Sequence, residues 1–315
     1  MRLHLRHGTT TLLATVPAMS HDRYLGFLSR FNQMHPLMDA MIDSPDVPGI
    51  HMEGPFFDGN VLGGMVKGVC RDISMEEADA YLTLSPYIKR WTIACEKEHA
   101  FELGRILEAN GIMASIGHSD ATLEQVYEAF NNGFHSVTHL YSSCSSYHRV
   151  GPYRVAGIVE AAFLMNQLDV EIIADGCHLP KEFLKLIYKI KGSDHIALIS
   201  DASRYTGLDL PEDTIIKSDI PEQQNLYIHD GVAIIEDGSC FCGSIATGDR
   251  LIRSMVKLAG VDICTAVRMG ALTPARMLHM DDTIGSIGRG KRANLVLFDD
   301  SITVKHVFHA GHMIC

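Results

Sequence analysis

The sequence predicts an α/β fold of the TIM-type (β/α)8 barrel class, with seven recognisable strands instead of eight. Short apolar runs alternate with longer amphipathic segments over residues 9–202, as in βα units around a parallel sheet. The length of 315 residues and the apolar content of 46% suit one barrel with a large interior. We expect the first barrel strand to lie upstream of Met1; the alternative is that one strand has escaped recognition.

The elements follow in order along the chain. Seven apolar stretches predict strands over residues 9–17, 48–54, 91–96, 113–119, 135–140, 170–176 and 195–202. Apolar residues at helical spacing predict helices over residues 98–110, 122–131 and 180–191. Thr122 is typical of a helix N-cap, and Pro180 is typical of a first helical turn.

The pattern changes after residue 202. An antiparallel pair near residues 226–228 and 232–235 interrupts an otherwise irregular stretch, and two helices are predicted over about 244–259 and 263–277. The remaining tail is rich in turns and short strands, which indicates part of a small β-sandwich. We therefore divide the chain into an N-terminally truncated barrel, residues 1–281, and the C-terminal part of a small β-sandwich domain, residues 282–315.

Composition excludes several classes of protein. A net charge of −11 argues against a basic nucleic-acid-binding face. No run approaches the ~20 apolar residues of a membrane helix, and the N-terminus lacks the apolar stretch of a signal peptide. The eight cysteines form no regular framework, which favours free thiols in a cytoplasmic protein. Cys240 and Cys242 could form a metal pair, but their spacing fits no common zinc motif.

Ligand-type side chains end five of the predicted strands: Glu53, His118, His139, the pair Asp175 and His178, and Asp201. Each alone is more often structural, as a hydrogen-bonded histidine or a helix cap. Together they matter, because catalytic residues of a parallel barrel project from the C-terminal strand ends. Two imidazoles and a carboxylate form a catalytic divalent-metal site with room for water. The ion lowers the pKa of water, and a free carboxylate accepts the proton.

The motifs at these strand ends resemble the N-acetylglucosamine-6-phosphate deacetylase family of the amidohydrolase superfamily. The resemblance runs from about Leu5 to the C-terminus and rests mainly on six ordered motifs, at residues 6–10, 49–56, 117–122, 138–141, 173–178 and 200–202. Later matches are at residues 243–244, 272–276 and 288–298. The resemblance implies removal of the acetyl group from N-acetylglucosamine 6-phosphate, and a homodimer with no nucleic-acid or membrane partner.

The resemblance also implies a role for each site residue. Glu53, His118 and His139 match the ligands of one divalent ion, expected to be Zn²⁺, although these ligand types also accept Fe²⁺, Mn²⁺ or Co²⁺. Asp201 matches the general base and acid, ionised beside the cation, and His178 matches the contact to the acetyl carbonyl. The implied substrate-binding residues are Val69, Ser142, Ser143, Arg149, Asp175, Gly176, Cys177, Phe241, Cys242 and Gly243.

Three departures from the family pattern leave the substrate open. Residues 67–70 are Lys-Gly-Val-Cys where the family has Lys-Gly-Ala-His, so Cys70 replaces a substrate-contacting histidine. Ser142 and Ser143 stand where the family has Asn-Ala, and Arg149 and Arg154 both fit the phosphate-binding position. The missing strand carries a His-x-His metal pair in some relatives, so one metal is expected here. The alternatives are another N-acylated sugar or amino acid as substrate, or an inactive truncated homologue.

Overall fold

The computed structural model describes residues 1–66, 68–220 and 223–315. Lys67, the first residue of the Lys-Gly-Val-Cys stretch, lies outside the described residues. The strands, in chain order, are β1 (Ala14–Pro17), β2 (Ile50–Glu53), β3 (Ile88–Ile93), β4 (Met113–Ile116), β5 (Phe134–Val137), β6 (His148–Val150), β7 (Tyr153–Val155), β8 (Asp169–Ile173), β9 (Ile196–Ile199), β10 (Leu226–His229), β11 (Val232–Ile235), β12 (Leu295–Phe298), β13 (Val304–His309) and β14 (His312–Met313).

Ten α-helices are described along the same ranges. They are α1 (Arg2–Arg6), α2 (His21–Asp39), α3 (Met75–Leu84), α4 (Ala100–Ala109), α5 (Leu123–Phe130), α6 (Ile158–Leu164), α7 (Lys181–Lys191), α8 (Gly248–Ser254), α9 (Ile263–Gly270) and α10 (Leu272–Met277). A 3₁₀ turn covers Ser193–His195, and a π turn, Met255–Ala259, follows α8 directly. None of these helices is both long and apolar enough to cross a membrane.

Seven parallel strands form one curled sheet in the order β1-β2-β3-β4-β5-β8-β9. Each neighbour follows the last along the chain, with helices between most of them, as in a βα barrel. Among the described residues β9 does not pair with β1, so the sheet stays open between these two strands. The predicted barrel-type fold with seven strands is confirmed, and no eighth barrel strand was overlooked in the described ranges.

The apolar pattern explains why the helices pack outside the sheet. α4 buries Leu103 and Leu107 against it, and the core around them includes the fully buried Trp91. Burying each such large side chain contributes about 1.5–3 kcal/mol. α5 begins as predicted, with a capping box in which the Thr122 hydroxyl accepts from the Gln125 amide. These local signals fix helix starts and so the lengths of the loops that carry the site.

The strands are shorter than the sequence predicts at their C-terminal ends. The stretch predicted over residues 113–119 stops at Ile116, because His118 has a φ of +48°, a left-handed conformation that cannot continue a strand. His139 and Asp201 behave in the same way, with φ of +32° and +45°. The residues beyond each strand therefore turn into the loops that hold the ligand-type side chains.

Several elements differ from the prediction. α2, α3, α6 and the hairpin β6–β7 were not predicted, and β3 begins at Ile88, three residues before the predicted start. The helix predicted over residues 263–277 is two helices, because the chain breaks at Ala271, whose φ and ψ are −132° and −66°. The pair β10–β11 is antiparallel as predicted, and β12, β13 and β14 form a small antiparallel sheet. The domain boundary at residue 281 stays a prediction.

Candidate active site

The ends of β2, β4 and β5 bring the predicted metal ligands together. Glu53 is the last residue of β2, and His118 and His139 lie two residues beyond β4 and β5. Nε2 of His118 lies 3.2 Å from Glu53 Oε1, and Nε2 of His139 lies 3.0 Å from the same oxygen. All three side chains are buried, and their ligand atoms lie within 4.8 Å of one another. The sequence-predicted ligand set therefore forms one compact cluster.

The donor chemistry of this cluster fits a cation. Nδ1 of His118 faces the Val61 carbonyl at 3.2 Å, and Nδ1 of His139 faces the Ser142 carbonyl at 3.0 Å. Because a carbonyl only accepts, each Nδ1 must carry the ring hydrogen, which leaves an Nε2 lone pair on each ring. Two lone pairs and a carboxylate oxygen then face one another in a buried space, which is stable only with a positive charge between them. The residues present fit a divalent metal.

The same convergence sets the pKa values of the polypeptide alone. Burial opposes ionisation of Glu53, but the hydrogen bonds to His118 and His139 outweigh it and lower the pKa of Glu53. Burial also opposes charge on His139, but Cys144 and Glu53 outweigh it and raise the pKa of His139. The cluster therefore attracts positive charge even before an ion is considered.

His178 is held from behind by Asp175. The Asp175 carboxylate accepts from Nδ1 of His178 at 2.7 Å and also from the backbone amides of Cys177 and His178 at 2.9 Å. Ser244 donates its hydroxyl to the same carboxylate at 3.1 Å. Burial would raise the pKa of Asp175, but these hydrogen bonds outweigh it and lower the pKa. Asp175 thus orients His178 and leaves Nε2 of the ring free to face the cavity.

Asp201 follows β9 and lies half-buried beside the ligand cluster. Its backbone carbonyl accepts from the Ser244 amide at 2.8 Å, but within the described ranges its carboxylate makes no hydrogen bond. The helix-cap alternative therefore gains no support, because a cap needs that carboxylate to accept from backbone amides. Burial and then the Glu53 charge raise the pKa of Asp201 in the polypeptide alone. A cation between them would offset the Glu53 charge; the ionised state expected from the sequence stays a prediction.

A cavity of about 1710 Å³ connects these residues with the open edge of the sheet. Of the predicted substrate-binding residues, it is lined by Ser142, Ser143, Phe241, Cys242 and Gly243. The backbone at Gly63 and Gly64 lies very close to two of these lining residues. A Cβ on Gly63 would meet Ser143 Oγ at 2.8 Å, and one on Gly64 would meet Cys242 Sγ at 2.9 Å. The loop before residue 66 thus packs tightly over the site.

The other predicted substrate-binding residues lie elsewhere. Asp175, Gly176 and Cys177 sit behind His178 and do not line the cavity, and Val69 is buried beside Ala18 and Phe57. Arg149 is exposed on the hairpin β6–β7, where it pairs in register with Arg154. None of these five side chains faces the cavity in the described structure, so their contact with substrate stays a prediction.

The cysteine-pair alternative finds no support among the described residues. Burial raises the pKa of the Cys242 thiol to about 11, so without a metal it is protonated at neutral pH. Neither Cys240 nor Cys242 belongs to a described cluster of three or more ligand-type side chains. All eight cysteines are free thiols, as predicted.

A second cluster in the described part of the chain is exposed and consists of Glu212, Asp213 and His229. Nδ1 of His229 lies 2.8 Å from Asp213 and Nε2 lies 3.5 Å from Asp230, so both ring nitrogens face carboxylates. The hydrogen bond to Asp213 raises the pKa of His229. Its two ring nitrogens are engaged by two separate carboxylates, whereas in the buried cluster two Nε2 atoms converge on one Glu53 oxygen.

Sequence reasoning missed a group of polar residues beneath the ligand cluster. Arg90 and Glu171 form an ion pair, Nη1 to Oε1, of 2.6 Å inside the sheet, and His51 lies in the same buried interior. The available signal was a charged residue at an inward position of an otherwise apolar strand. Such a residue is rarely buried without a partner.

The comparisons with known proteins agree with this geometry. The amidohydrolase family matches residues 1–314. An N-acetylglucosamine-6-phosphate deacetylase of Lysinibacillus sphaericus is 29% identical over 310 residues, covering 98% of this chain and 76% of the relative. An N-acetylgalactosamine-6-phosphate deacetylase of Escherichia coli O157:H7 is 30% identical over 268 residues, covering 85% of this chain and 68% of that protein.

A solved structure shows the same architecture. The crystal structure of N-acetyl-D-glucosamine-6-phosphate deacetylase from Mycobacterium smegmatis superposes with a TM-score of 0.88 at 26% identity, covering 100% of this chain and 79% of the other. The chain belongs to the amidohydrolase family and, within it, to the N-acetylglucosamine-6-phosphate deacetylase family. Members of the amidohydrolase family are metal-dependent, in agreement with the ligand cluster described above.

Proposed function

We propose that the protein hydrolyses the N-acetyl group of N-acetylglucosamine 6-phosphate, giving glucosamine 6-phosphate and acetate. The observation that carries the proposal is the convergence of Glu53, His118 and His139 in one buried cluster beside Asp201, whose carboxylate makes no hydrogen bond within the described residues. This is the donor set of a catalytic metal site with an adjacent base. The identity of the substrate is inferred from the names of the similar proteins.

Glu53, His118 and His139 would hold one divalent ion, for which we propose Zn²⁺. The ion would supply Lewis-acid chemistry, polarising the acetyl carbonyl and lowering the pKa of water. Nitrogen and carboxylate ligands suit Zn²⁺, and the family resemblance favours it.

Asp201 would move the proton. Its carboxylate accepts a proton from the attacking water and then donates it to the departing amine nitrogen, because an unprotonated amide nitrogen is a very poor leaving group. The lack of a competing hydrogen bond within the described residues supports this role, since the oxygen atoms are free to accept. One carboxylate serves both steps, so it must be ionised at the start of the cycle.

His178 would bind the acetyl oxygen. Asp175 fixes Nδ1–H of the ring, so Nε2 faces the cavity, and a protonated Nε2 donates to the oxyanion that develops during attack. Donors placed in advance at such a position are often the largest single contribution to catalysis. Phe241 packs on the same ring with centroids 4.6 Å apart and helps to exclude water.

A second candidate substrate is N-acetylgalactosamine 6-phosphate, which differs from the first in the configuration of one hydroxyl. It is favoured by the similarity to the Escherichia coli O157:H7 relative named for that substrate and by Cys70 in place of the family histidine. Ser142 and Ser143, which line the cavity, would contact the sugar in either case. We propose that Arg149 binds the phosphate, with Arg154 beside it on the hairpin as the alternative.

An acetate-release assay over four compounds tests the proposal. The compounds are N-acetylglucosamine and N-acetylgalactosamine, each with and without the 6-phosphate, and the control is the Asp201→Asn variant. We expect kcat/KM to be highest for N-acetylglucosamine 6-phosphate. A preference for the galactose isomer would select the second candidate, and no release of acetate from any of the four would refute the deacetylase activity.

Two further proposals concern the state of the protein. We propose a homodimer, which the family resemblance supports and which light scattering at micromolar concentration tests directly. We also propose a cytoplasmic location, supported by eight free cysteines, because oxidising compartments favour disulfides.

A further inference from the structure

A layer of polar side chains crosses the inside of the sheet beneath the ligand cluster. Its centre is the ion pair of Arg90 on β3 and Glu171 on β8, whose side chains are only 6% and 8% exposed. Arg90 also donates through Nη2 to Thr138 Oγ1 at 2.7 Å and to Ser115 Oγ at 3.0 Å. The pair therefore spans β4 and β5, the two strands that lead to His118 and His139.

The pair brackets His139 along the chain. Arg90 holds the side chain of Thr138, the residue immediately before His139. The backbone carbonyl of Glu171 accepts from the amide of Leu140 at 2.8 Å, the residue immediately after it. The backbone of His139 is thus fixed on both sides by the two residues that form the ion pair.

The same layer reaches Glu53. Thr138 Oγ1 lies 2.8 Å from Thr92 Oγ1, and Thr92 Oγ1 lies 2.7 Å from Nε2 of His51, two residues before Glu53 on β2. The contacts are close-packed, because a Cβ on Gly117 would lie 2.7 Å from Thr92 Cγ2 and 3.0 Å from Thr138 Cβ. A shift of Arg90 would therefore be transmitted to β2 as well as to β4 and β5.

A buried ion pair has a high desolvation cost. Burying two charges is often no better for stability than burying apolar side chains of the same size. Arg90 Nε and Glu171 Oε2 are also buried with no hydrogen-bond partner among the described residues, which adds to the cost. Stability alone therefore does not explain the pair.

The open sheet supplies a physical reason for it. In a closed barrel, hydrogen bonds around the whole ring fix the distances between strand ends. Here β9 and β1 do not pair within the described ranges, so that constraint is absent from one side. A rigid ion pair across the interior restores a fixed distance between β3 and β8, on either side of the ligand strands β4 and β5.

We propose that the Arg90–Glu171 pair is a positioning device for the metal centre, acting through Thr138 and Leu140 on His139 and through Thr92 and His51 on Glu53. The inference rests on the proposed function, because it assumes that Glu53, His118 and His139 bind a metal. Arg90 and Glu171 line the cavity, but within the described residues neither side chain bonds to Glu53, His118 or His139. They set the distances between the residues that would hold the ion.

The decisive variant replaces both charges, Arg90→Met with Glu171→Leu. Removing both partners avoids an unpaired buried charge, so the metal-free protein should melt near the wild-type temperature. We expect its affinity for Zn²⁺, measured on metal-stripped protein by competition with a chelator, to fall about 10- to 100-fold, as for other residues that orient ligands. Turnover should fall while KM changes little.

One pair of variants and one single variant separate positioning from packing. Thr138→Val removes the hydroxyl to which Arg90 donates and should weaken zinc binding. Thr138→Ser keeps that hydroxyl and should bind zinc as tightly as the wild type. Arg276→Met breaks an ion pair with Asp169, the first residue of β8, in which Nη2 and Oδ1 lie 3.1 Å apart. This variant should leave zinc affinity unchanged.

The outcomes are distinguishable. If the wild type binds no zinc, the proposed metal centre fails. If the wild type binds zinc and the double variant binds it equally well, the pair only fills space and the inference is overturned. Should the double variant not fold, the threonine variants decide: equal affinities for Thr138→Val and Thr138→Ser, whether both normal or both weakened, overturn the inference.

Discussion

The two groups of potential metal ligands differ in the hydrogen-bond partners of their histidine rings. The buried group is Glu53, His118 and His139, and the exposed group is Glu212, Asp213 and His229. In the buried group, Nδ1 of His118 and of His139 faces a backbone carbonyl, which places the ring hydrogen on Nδ1 and directs Nε2 of both rings at the same Glu53 oxygen. In the exposed group, the two nitrogens of His229 face two different carboxylates. Similar residue types at similar distances therefore differ in whether their ring nitrogens converge on one point. Proximity of ligand-type side chains alone does not define a metal site; the hydrogen-bond partner of the ring nitrogen that faces away from the ion also matters.

The largest expected effect comes from removing a buried histidine. In His118→Ala or His139→Ala, two ligand residues remain, and we expect bound metal to fall from about one equivalent to near none, with turnover lost as well. Metal content per chain, measured by mass spectrometry after gel filtration, checks this. Undiminished metal in both variants would falsify the assignment of the buried group.

The next effect concerns Asp201, which lies beside the buried group but is not part of it. Asp201→Asn keeps the size of the side chain but cannot accept a proton, so turnover should fall roughly a hundredfold to ten-thousandfold. Metal content should stay at the wild-type level, in contrast to the histidine variants. Near-normal turnover in Asp201→Asn would overturn the proton-transfer role while leaving the metal site intact.

A smaller effect is expected at Asp175. Its pKa is lowered in the fold, so its contribution to stability is present above the unfolded value of about 3.9 and is lost as pH falls through the lowered value. Asp175→Asn loses that contribution at every pH, about 1–3 kcal/mol at neutral pH. Urea unfolding of both metal-stripped proteins should therefore show a gap that is widest near pH 6 and narrows below about pH 4. A gap that is independent of pH would contradict the assignment.

The smallest effect is expected at the exposed group. His229→Ala removes an exposed ring whose two nitrogens face separate carboxylates, so metal content, zinc affinity and turnover should equal those of the wild type. This variant is the matched control for His118→Ala, because both remove one imidazole from a three-residue cluster. Loss of metal in His229→Ala would show that the contrast between the two groups is wrong.

Much of this site was predictable from the sequence because strand ends carry a local signal. Glu53, His118, His139 and Asp201 each follow a short apolar run, and the parallel order of the sheet brings such ends together. The ligand cluster follows from that rule and from the family motifs. The same argument gave seven barrel strands and the start of α5 at Thr122.

The remainder depends on contacts between residues far apart in the chain. The family resemblance placed Asp175 among the substrate-binding residues. In the structure its carboxylate accepts hydrogen bonds from His178 and from Ser244, and Ser244 lies 69 residues further along the chain. The Arg90–Glu171 pair joins two strands separated by β4 and β5, so no local pattern indicates it. Helix α2 was missed because Pro36 lies inside it and its apolar face is weak. Sequence patterns indicate which residues reach a strand end and not the direction in which their side chains point.

The left-handed backbone at His118, His139 and Asp201 has a consequence when the metal ion is scarce in the cell. Non-glycine residues held in such conformations cost of order 1–3 kcal/mol each, so the fold gives up stability at three of its working residues. A ligand that binds only the folded state returns stability by mass action, about 2.7 kcal/mol at a hundred times its dissociation constant. Under the proposed metal centre, a cell short of the ion would therefore keep less folded protein as well as less loaded enzyme. Degradation of the stripped chain would then match the amount of enzyme to the available metal.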